Sequence, residues 1–175
     1  MVQLDDVINP GYLEGLEEWS LVQVRARRDD ALEVETGLSY LRRMVQGRLD
    51  IVLAEEGRRR RGEGGDLGEL VDSLPEILGD RVHAPGSGRL PALMGPGALN
   101  RELAERLEAV LPASRLDSVD QLDEAELRSA SAELETLERT VSAQRRSVFD
   151  VLDRLQEELV RRYRTGEATV DSLLS

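Results

Sequence analysis

The chain has 175 residues, 23 basic and 35 acidic, for a formal net charge of −12 and a pI near 4.6. That balance argues against a chain-wide electrostatic grip on nucleic acid or on a membrane surface. Every basic residue is arginine and there is no cysteine, which excludes a phosphate-loop or Schiff-base lysine, disulfides, thiolate metal sites and cysteine nucleophiles.

Five aromatic rings and a wealth of Leu, Val, Ala, Glu and Arg point to long helices rather than a ring-filled globular core. No apolar run approaches a membrane span, and the acidic start has no secretory apolar segment, so the expected location is the cytoplasm. Residues 1–19 read as a loosely structured arm, with a turn at Asn9-Pro10-Gly11. Tyr12, Leu13, Leu16 and Trp19 then recur at helical spacing. Two readings of them stand: a short helix packed on the body, or a partner-binding arm anchored by Trp19.

Ser20 and Gln23 form a capping-box pattern, and a helix is expected from 20 to 56. Its heptad a positions are Val24, Ala31, Leu38, Val45 and Val52, and its d positions are mixed: Arg27, Val34, Leu41, Arg48 and Glu55. Gly57 and Arg58–Arg61 are expected to end it, the arginines as a charge cluster in a loop. Residues 57–122 form a connection rich in Gly and Pro, with short helices expected over 67–78 and 99–111. Asp123 as N-cap, Glu126 at N3 and a Leu122–Leu127 staple start a second long helix, 123–165, whose a positions are Leu127, Leu134, Val141, Val148 and Leu155. A tail, 166–175, follows. The expectation is one elongated all-α domain over 1–175, its two long helices forming an intramolecular coiled coil with short helices in the connection. The 66-residue connection permits either direction, and antiparallel pairing is favoured because it creates a two-fold axis across the pair.

The two long helices overlay at an offset of 103 residues, every a position falling on an a position. The polar residues follow: Glu35 falls on Glu138, Ser39 on Ser142, Arg42 on Arg145, Arg43 on Arg146 and Asp50 on Asp153. Gln46 falls on Phe149, the one mismatch. Glu35, Ser39, Arg42, Gln46 and Asp50 lie within an arc of roughly 80°, about 100° from the apolar seam. One such stripe is most simply a solvated coiled-coil face with Glu–Arg pairs. Two copies at identical spacing and phase favour a binding function. Carboxylates can accept from the guanine N1–H and N2–H₂ edge, arginine can fork onto guanine O6 and N7 or onto phosphate, and Ser and Gln can serve phosphate and ribose.

The pattern E-x3-S-x2-R-x3-Q-x3-D, intact from Glu35 to Asp50, resembles the signature of the RsiG anti-sigma factors of actinobacteria, which carry one such motif on each of two long helices. Here the segments read ETGLSYLRRMVQGRLD and ERTVSAQRRSVFDVLD, the second with Phe149 in place of Gln. The resemblance implies a regulatory ligand, cyclic di-GMP, bound as a dimer of intercalated molecules between the motif helices. It assigns that ligand to Glu35, Ser39, Arg42, Gln46, Asp50, Glu138, Ser142, Arg145 and Asp153, with Arg43, Arg146 and Phe149 beside them. It also implies sequestration of WhiG, a flagellar-type sporulation sigma factor, by a monomeric chain in a 1:1 complex. No catalytic cofactor, metal, membrane or direct nucleic-acid partner is expected.

A competing reading is a coiled-coil adaptor with no nucleotide switch. Catalysis ranks below both: His83 is the lone histidine, in a Pro/Gly-rich stretch, and no nucleophile, base and orienting group converge.

Overall fold

The computed structural model describes residues 2–62 and 101–166. Among the described residues there is no strand. The order is α1 (Leu4–Ile8), 3₁₀ turns over Pro10–Leu13 and Leu16–Glu18, α2 (Leu21–Arg61), α3 (Arg101–Val110), a 3₁₀ stretch over Ala113–Gln121, and α4 (Glu124–Thr165). The two long helices pack against each other, as the all-α reading expects. No described helix is long and apolar enough to cross a membrane.

Both long helices begin at the boxes legible in the sequence. The Ser20 N–H donates to Gln23 Oε1 at 2.7 Å, and the Gln23 N–H donates to Ser20 Oγ at 3.2 Å. Asp123 and Glu126 exchange the same pair of bonds, both at 2.8 Å. Each box satisfies N–H groups that a helix start leaves without partners.

The first helix does not stop at 56. It continues through Gly57 to Arg61, so Arg58–Arg61 belong to its last turn and not to a loop. Glu55 takes Arg58 and Arg59, three and four residues on, and these ion pairs hold the added turn together. The left-handed residue that ends the helix is Gly62, at φ 70°. Of the short helices expected in the connection, the one over 99–111 is α3, from Arg101 to Val110. The one over 67–78 lies outside the described residues, as does His83.

Contacts divide the chain into two compact units, and both long helices contribute to each. In unit 1, Val24, Ala31, Leu38, Val141, Val148 and Leu155 form the seam, none more than 1% exposed. Bonds from Arg25 to Tyr163 and from Arg42 to Ser142 show that α2 and α4 run antiparallel there. In unit 2, Val45, Val52, Leu127 and Leu134 are equally buried. Bonds from Gln46 to Glu138 and from Arg59 to the Leu122 carbonyl give the same direction.

The N-terminal arm is ordered and packed on unit 1, not loose. Leu4, Val7 and Tyr12 are buried. The Tyr12 hydroxyl donates to the Arg27 carbonyl at 2.9 Å, and the Arg27 guanidinium lies 4.7 Å from the Tyr12 ring centre and 5.5 Å from that of Trp19. Burial, with Asp30 nearby, pushes the Tyr12 phenol up. Trp19 is half-buried in this packing. In unit 2, Arg48, read as a flaw in the d series, is buried for a reason. It donates to the Leu107 and Leu111 carbonyls and to the Glu108 carboxylate, closing the C-terminal end of α3. The Arg48 hydrogen bond, then that of the Ala113 N–H, holds the Glu108 carboxyl below its usual range.

The offset of 103 extends well beyond the motif. It aligns 2–62 with 105–165 without a gap, placing Leu4 on Leu107, Val7 on Val110, Leu13 on Leu116 and Ser20 on Asp123. Local structure follows: the turns at Pro10–Leu13 and Leu16–Glu18 answer the 3₁₀ stretch Ala113–Gln121, which breaks at Ser118, the position matching left-handed Gly15. A clasp repeats as well. Glu55, Arg58 and Arg59 match Glu158, Arg161 and Arg162. In unit 2, Arg59 donates to the Asp120 and Leu122 carbonyls just ahead of α4. In unit 1, Arg162 donates to the Leu16, Glu17 and Trp19 carbonyls just ahead of α2.

Candidate functional site

The polar stripes lie on α2 and α4 beside the seam, and unit 1 gathers five of their residues. Arg42 Nε donates to Ser142 Oγ at 2.8 Å, and Arg145 Nε donates to Ser39 Oγ, also at 2.8 Å. Exchanging each residue for its repeat mate turns the first bond into the second. The stripes are thus related by a local two-fold axis, as the spacing of the two copies anticipates for antiparallel helices.

Glu35 adds to the cluster. Its carboxylate accepts from Ser39 Oγ at 2.7 Å and from Arg145 Nε at 3.0 Å, and the residue is 8% exposed. A carboxylate this covered needs such donors, because desolvation otherwise disfavours its charge. The Arg145 guanidinium also sits 4.7 Å from the centre of the Phe149 ring, a cation–π distance. Arg145 therefore joins carboxylate, hydroxyl and aromatic face at one point, with a third of its side chain still exposed.

In unit 2, Gln46 Nε2 donates to Glu138 Oε1 at 3.2 Å. Asp50 is half-buried in the same unit. Arg43, Arg146 and Asp153 in unit 1 are exposed. Of the twelve residues singled out by sequence, the geometry thus joins Glu35, Ser39, Arg42, Ser142, Arg145 and Phe149 in one unit and Gln46 with Glu138 in the other.

The chemistry of the unit 1 cluster suits a ligand with anionic and purine parts. Two guanidinium groups offer forked donors, two hydroxyls donate or accept, and one aromatic face can stack. These groups currently bond to one another, so a ligand must exchange those bonds for its own. A hollow of about 420 Å³ in unit 2, between Arg59, Arg60, Leu127 and Arg128, touches no stripe residue. Among the described residues no three His, Cys, Asp or Glu side chains gather as a metal site requires.

The clasp residues were not anticipated as a group. Glu55 and Glu158 are 1% and 7% exposed, each gripped by arginines three and four residues on. The Arg58 hydrogen bond draws the Glu55 carboxyl down, and the Arg161 bond, with Arg162 behind it, draws that of Glu158 down to about 2. The signal was available as a second match, E-x2-R-R, at the same offset of 103.

Residues 10–78 match the family model described as RsiG-like, a span that takes in the second half of the arm and the whole first stripe. No curated protein matches the chain. The matched family points to an anti-sigma factor role, with a sigma factor as the kind of partner and regulation rather than catalysis as the kind of activity.

Proposed function

We propose, from the premise that this chain belongs to the RsiG-like family, that its grip on a sigma factor is set by a cyclic di-GMP dimer bound by the stripe residues. The partner in this reading is a WhiG-like sporulation sigma factor, held by one chain in a 1:1 complex. The observation that carries the reading is the reciprocal pair in unit 1, Arg42 to Ser142 and Arg145 to Ser39. A two-fold constellation of guanidinium and hydroxyl groups suits a ligand that is itself two-fold, as a dimer of cyclic di-GMP is. Arg42 and Arg145 would meet phosphate or the guanine O6/N7 edge, and the serines phosphate or ribose.

The chain's net charge of −12 shapes both interactions. It opposes a polyanionic ligand except where arginines concentrate, so ligand affinity should fall with salt. It complements a sigma factor, whose DNA-reading faces are basic. Coupling then follows from linkage. A ligand that binds the sigma-competent arrangement of α2 and α4 better than any other favours that arrangement, by no more than its differential affinity. Ligand and sigma factor must strengthen each other's binding by the same factor.

One observation favours the second reading, an adaptor with no switch: the stripe groups already satisfy one another across the helices, as a structural polar seam would. A thermal melt of the full chain with cyclic di-GMP, and with cyclic di-AMP as control, separates the two. Ligand at about 100 times its dissociation constant adds roughly 2.7 kcal/mol of stability. A rise in Tm with the guanine ligand, abolished in Arg42→Gln and Arg145→Gln while helicity is kept, supports the switch. An unchanged Tm, with sigma-factor capture indifferent to the nucleotide, leaves the adaptor.

A further inference from the structure

The hollow of about 420 Å³ in unit 2 is lined by Glu56, Arg59, Arg60, Glu124, Leu127 and Arg128, all residues of that one unit. At the offset of 103, their repeat mates in unit 1 are Leu159, Arg162, Tyr163, Leu21, Val24 and Arg25. Three parts are common to both places. Leu127 answers Val24, each at most 1% exposed, Arg59 answers Arg162, and Arg128 answers Arg25. The telling difference is Arg60 against Tyr163. In unit 1 the tyrosine reaches from α4 to α2, and its hydroxyl accepts from the Arg25 guanidinium. In unit 2 the matching side chain is a cation, which cannot accept a bond from Arg128. Arg60 Nε donates instead to the Glu56 carbonyl at 3.3 Å, and Arg128 pairs with Glu124 four residues before it. The second repeat thus supplies the tyrosine of unit 1, and the first repeat supplies none to unit 2.

We propose that the hollow between Arg60, Leu127 and Arg128 is a docking site for a tyrosine side chain of a protein partner, which repeats there the contact that Tyr163 makes with Arg25. A protein is the kind of partner the family points to. The lining selects the residue type. A phenol hydroxyl donates one hydrogen bond and accepts others. Arg128 can donate to it, and Glu124, the ion-pair partner of Arg128, can accept from it. Leu127 offers the ring an apolar wall, and the guanidinium groups of Arg60 and Arg128 offer it cation–π partners. A phenylalanine ring gains the wall and the cations but serves neither polar partner. A bare anion gains no apolar contact and meets the carboxylates of Glu56 and Glu124 along with the arginines. The hollow touches no stripe residue, so this inference stands or falls apart from the cyclic di-GMP reading.

Amide correlation NMR of the full chain, titrated with N-acetyl-tyrosinamide, N-acetyl-phenylalaninamide and inorganic phosphate, tests this. Arg60→Tyr and Arg128→Gln are run beside the unaltered chain. Arg60 and Arg128 are both exposed, and circular dichroism melts verify that each variant folds. The tyrosine amide should shift the Arg59, Leu127 and Arg128 signals saturably, with a dissociation constant of about a millimolar, as its size allows. The phenylalanine amide should bind at least about fivefold more weakly, the worth of the hydroxyl's hydrogen bonds. Phosphate should leave these signals in place. Arg60→Tyr gives unit 2 the tyrosine that unit 1 has, and should abolish the shifts by filling the hollow from within. Arg128→Gln, which removes the charge, should weaken the tyrosine amide by at least about fivefold. No saturable shift at these residues overturns the inference, as does equal binding of the two amides. Saturable shifts with phosphate overturn it in favour of an anion site. An Arg60→Tyr chain that binds the tyrosine amide as the unaltered chain does, or an Arg128→Gln chain that does so, also overturns it.

Discussion

Arg162→Ala tests whether the clasp at the end of α4 holds the start of α2. Arg162 is 5% exposed and meets Glu158, itself 7% exposed. It also donates to the carbonyls of Trp19, Leu16 and Glu17. Breaking a buried ion pair costs about 3–5 kcal/mol when the surviving charge is orphaned. Here Arg161 still reaches both Glu158 oxygens, at 2.8 and 2.9 Å, so the carboxylate keeps a partner. The loss is then one charge-assisted bond, about 1.5 kcal/mol, and the carbonyl bonds, about 1 kcal/mol together. The expected destabilisation at pH 7 is about 2–3 kcal/mol, read by urea unfolding with an unchanged m-value.

The acid limb supplies a second readout. Glu158 is held at about 2 against an ordinary value of 4.5. A carboxylate with a depressed folded-state pKa adds stability that is complete above its unfolded value and is lost as pH falls through the folded one. That contribution should therefore fade between about pH 5 and pH 2. Its ceiling is about 3 kcal/mol, and screening at the half-exposed Arg161 reduces it. Arg162→Ala should flatten this fall without abolishing it, because Arg161, the larger cause, remains. A loss under about 0.5 kcal/mol at pH 7, or an acid limb superimposable on that of the unaltered chain, would refute the reasoning.

Three further substitutions probe other parts of the fold. Arg48→Ala should cost about 2–3 kcal/mol and open the end of α3, seen as faster amide exchange near Leu111 and, by NMR titration, a Glu108 carboxyl that rises toward its ordinary range while the Ala113 N–H still holds it down in part. Two glycines at the end of α2 should respond with opposite sign in chemical denaturation. Gly57→Ala should stabilise by about 0.5–1 kcal/mol, since Gly57 is helical and the new Cβ meets only the flexible end of Arg61, at 3.3 Å. Gly62→Ala should destabilise by about 1 kcal/mol, since its φ of 70° suits glycine.

The parts of the fold legible in the sequence are those set by local rules. The seam is one: all ten predicted a positions are at most 1% exposed. The boxes at Ser20 and Asp123 are another, because a cap and its N3 partner need only each other. The legible rules failed where the deciding partner lay far along the chain. Arg48 and Glu55 spoiled the d series on paper because their partners are α3 carbonyls and arginines of a turn assigned to a loop. Gly57 resembled a stop because glycine marks helix ends, but what ends this helix is the left-handed backbone of Gly62. The arm reads as loose in the sequence because Leu4 and Val7 show no period on their own, and only their match to Leu107 and Val110 reveals them. Of the candidate site, residue types and phase were legible. The contact of Arg145 with Phe149 was not, because it arises at the one mismatched position of the two motifs.

The clasp has a consequence for how the chain comes apart. The last turn of each long helix secures the carbonyls just ahead of the other: Arg162 those before α2, Arg59 those before α4. In an ordinary helix hairpin the ends fray independently, each for want of its own cap. Here the finish of one helix guards the beginning of the other. Damage to the end of α4 should surface as exchange at Ser20–Val24, on a helix that was never altered. Within each unit, the finish of one repeat thus holds the start of the other.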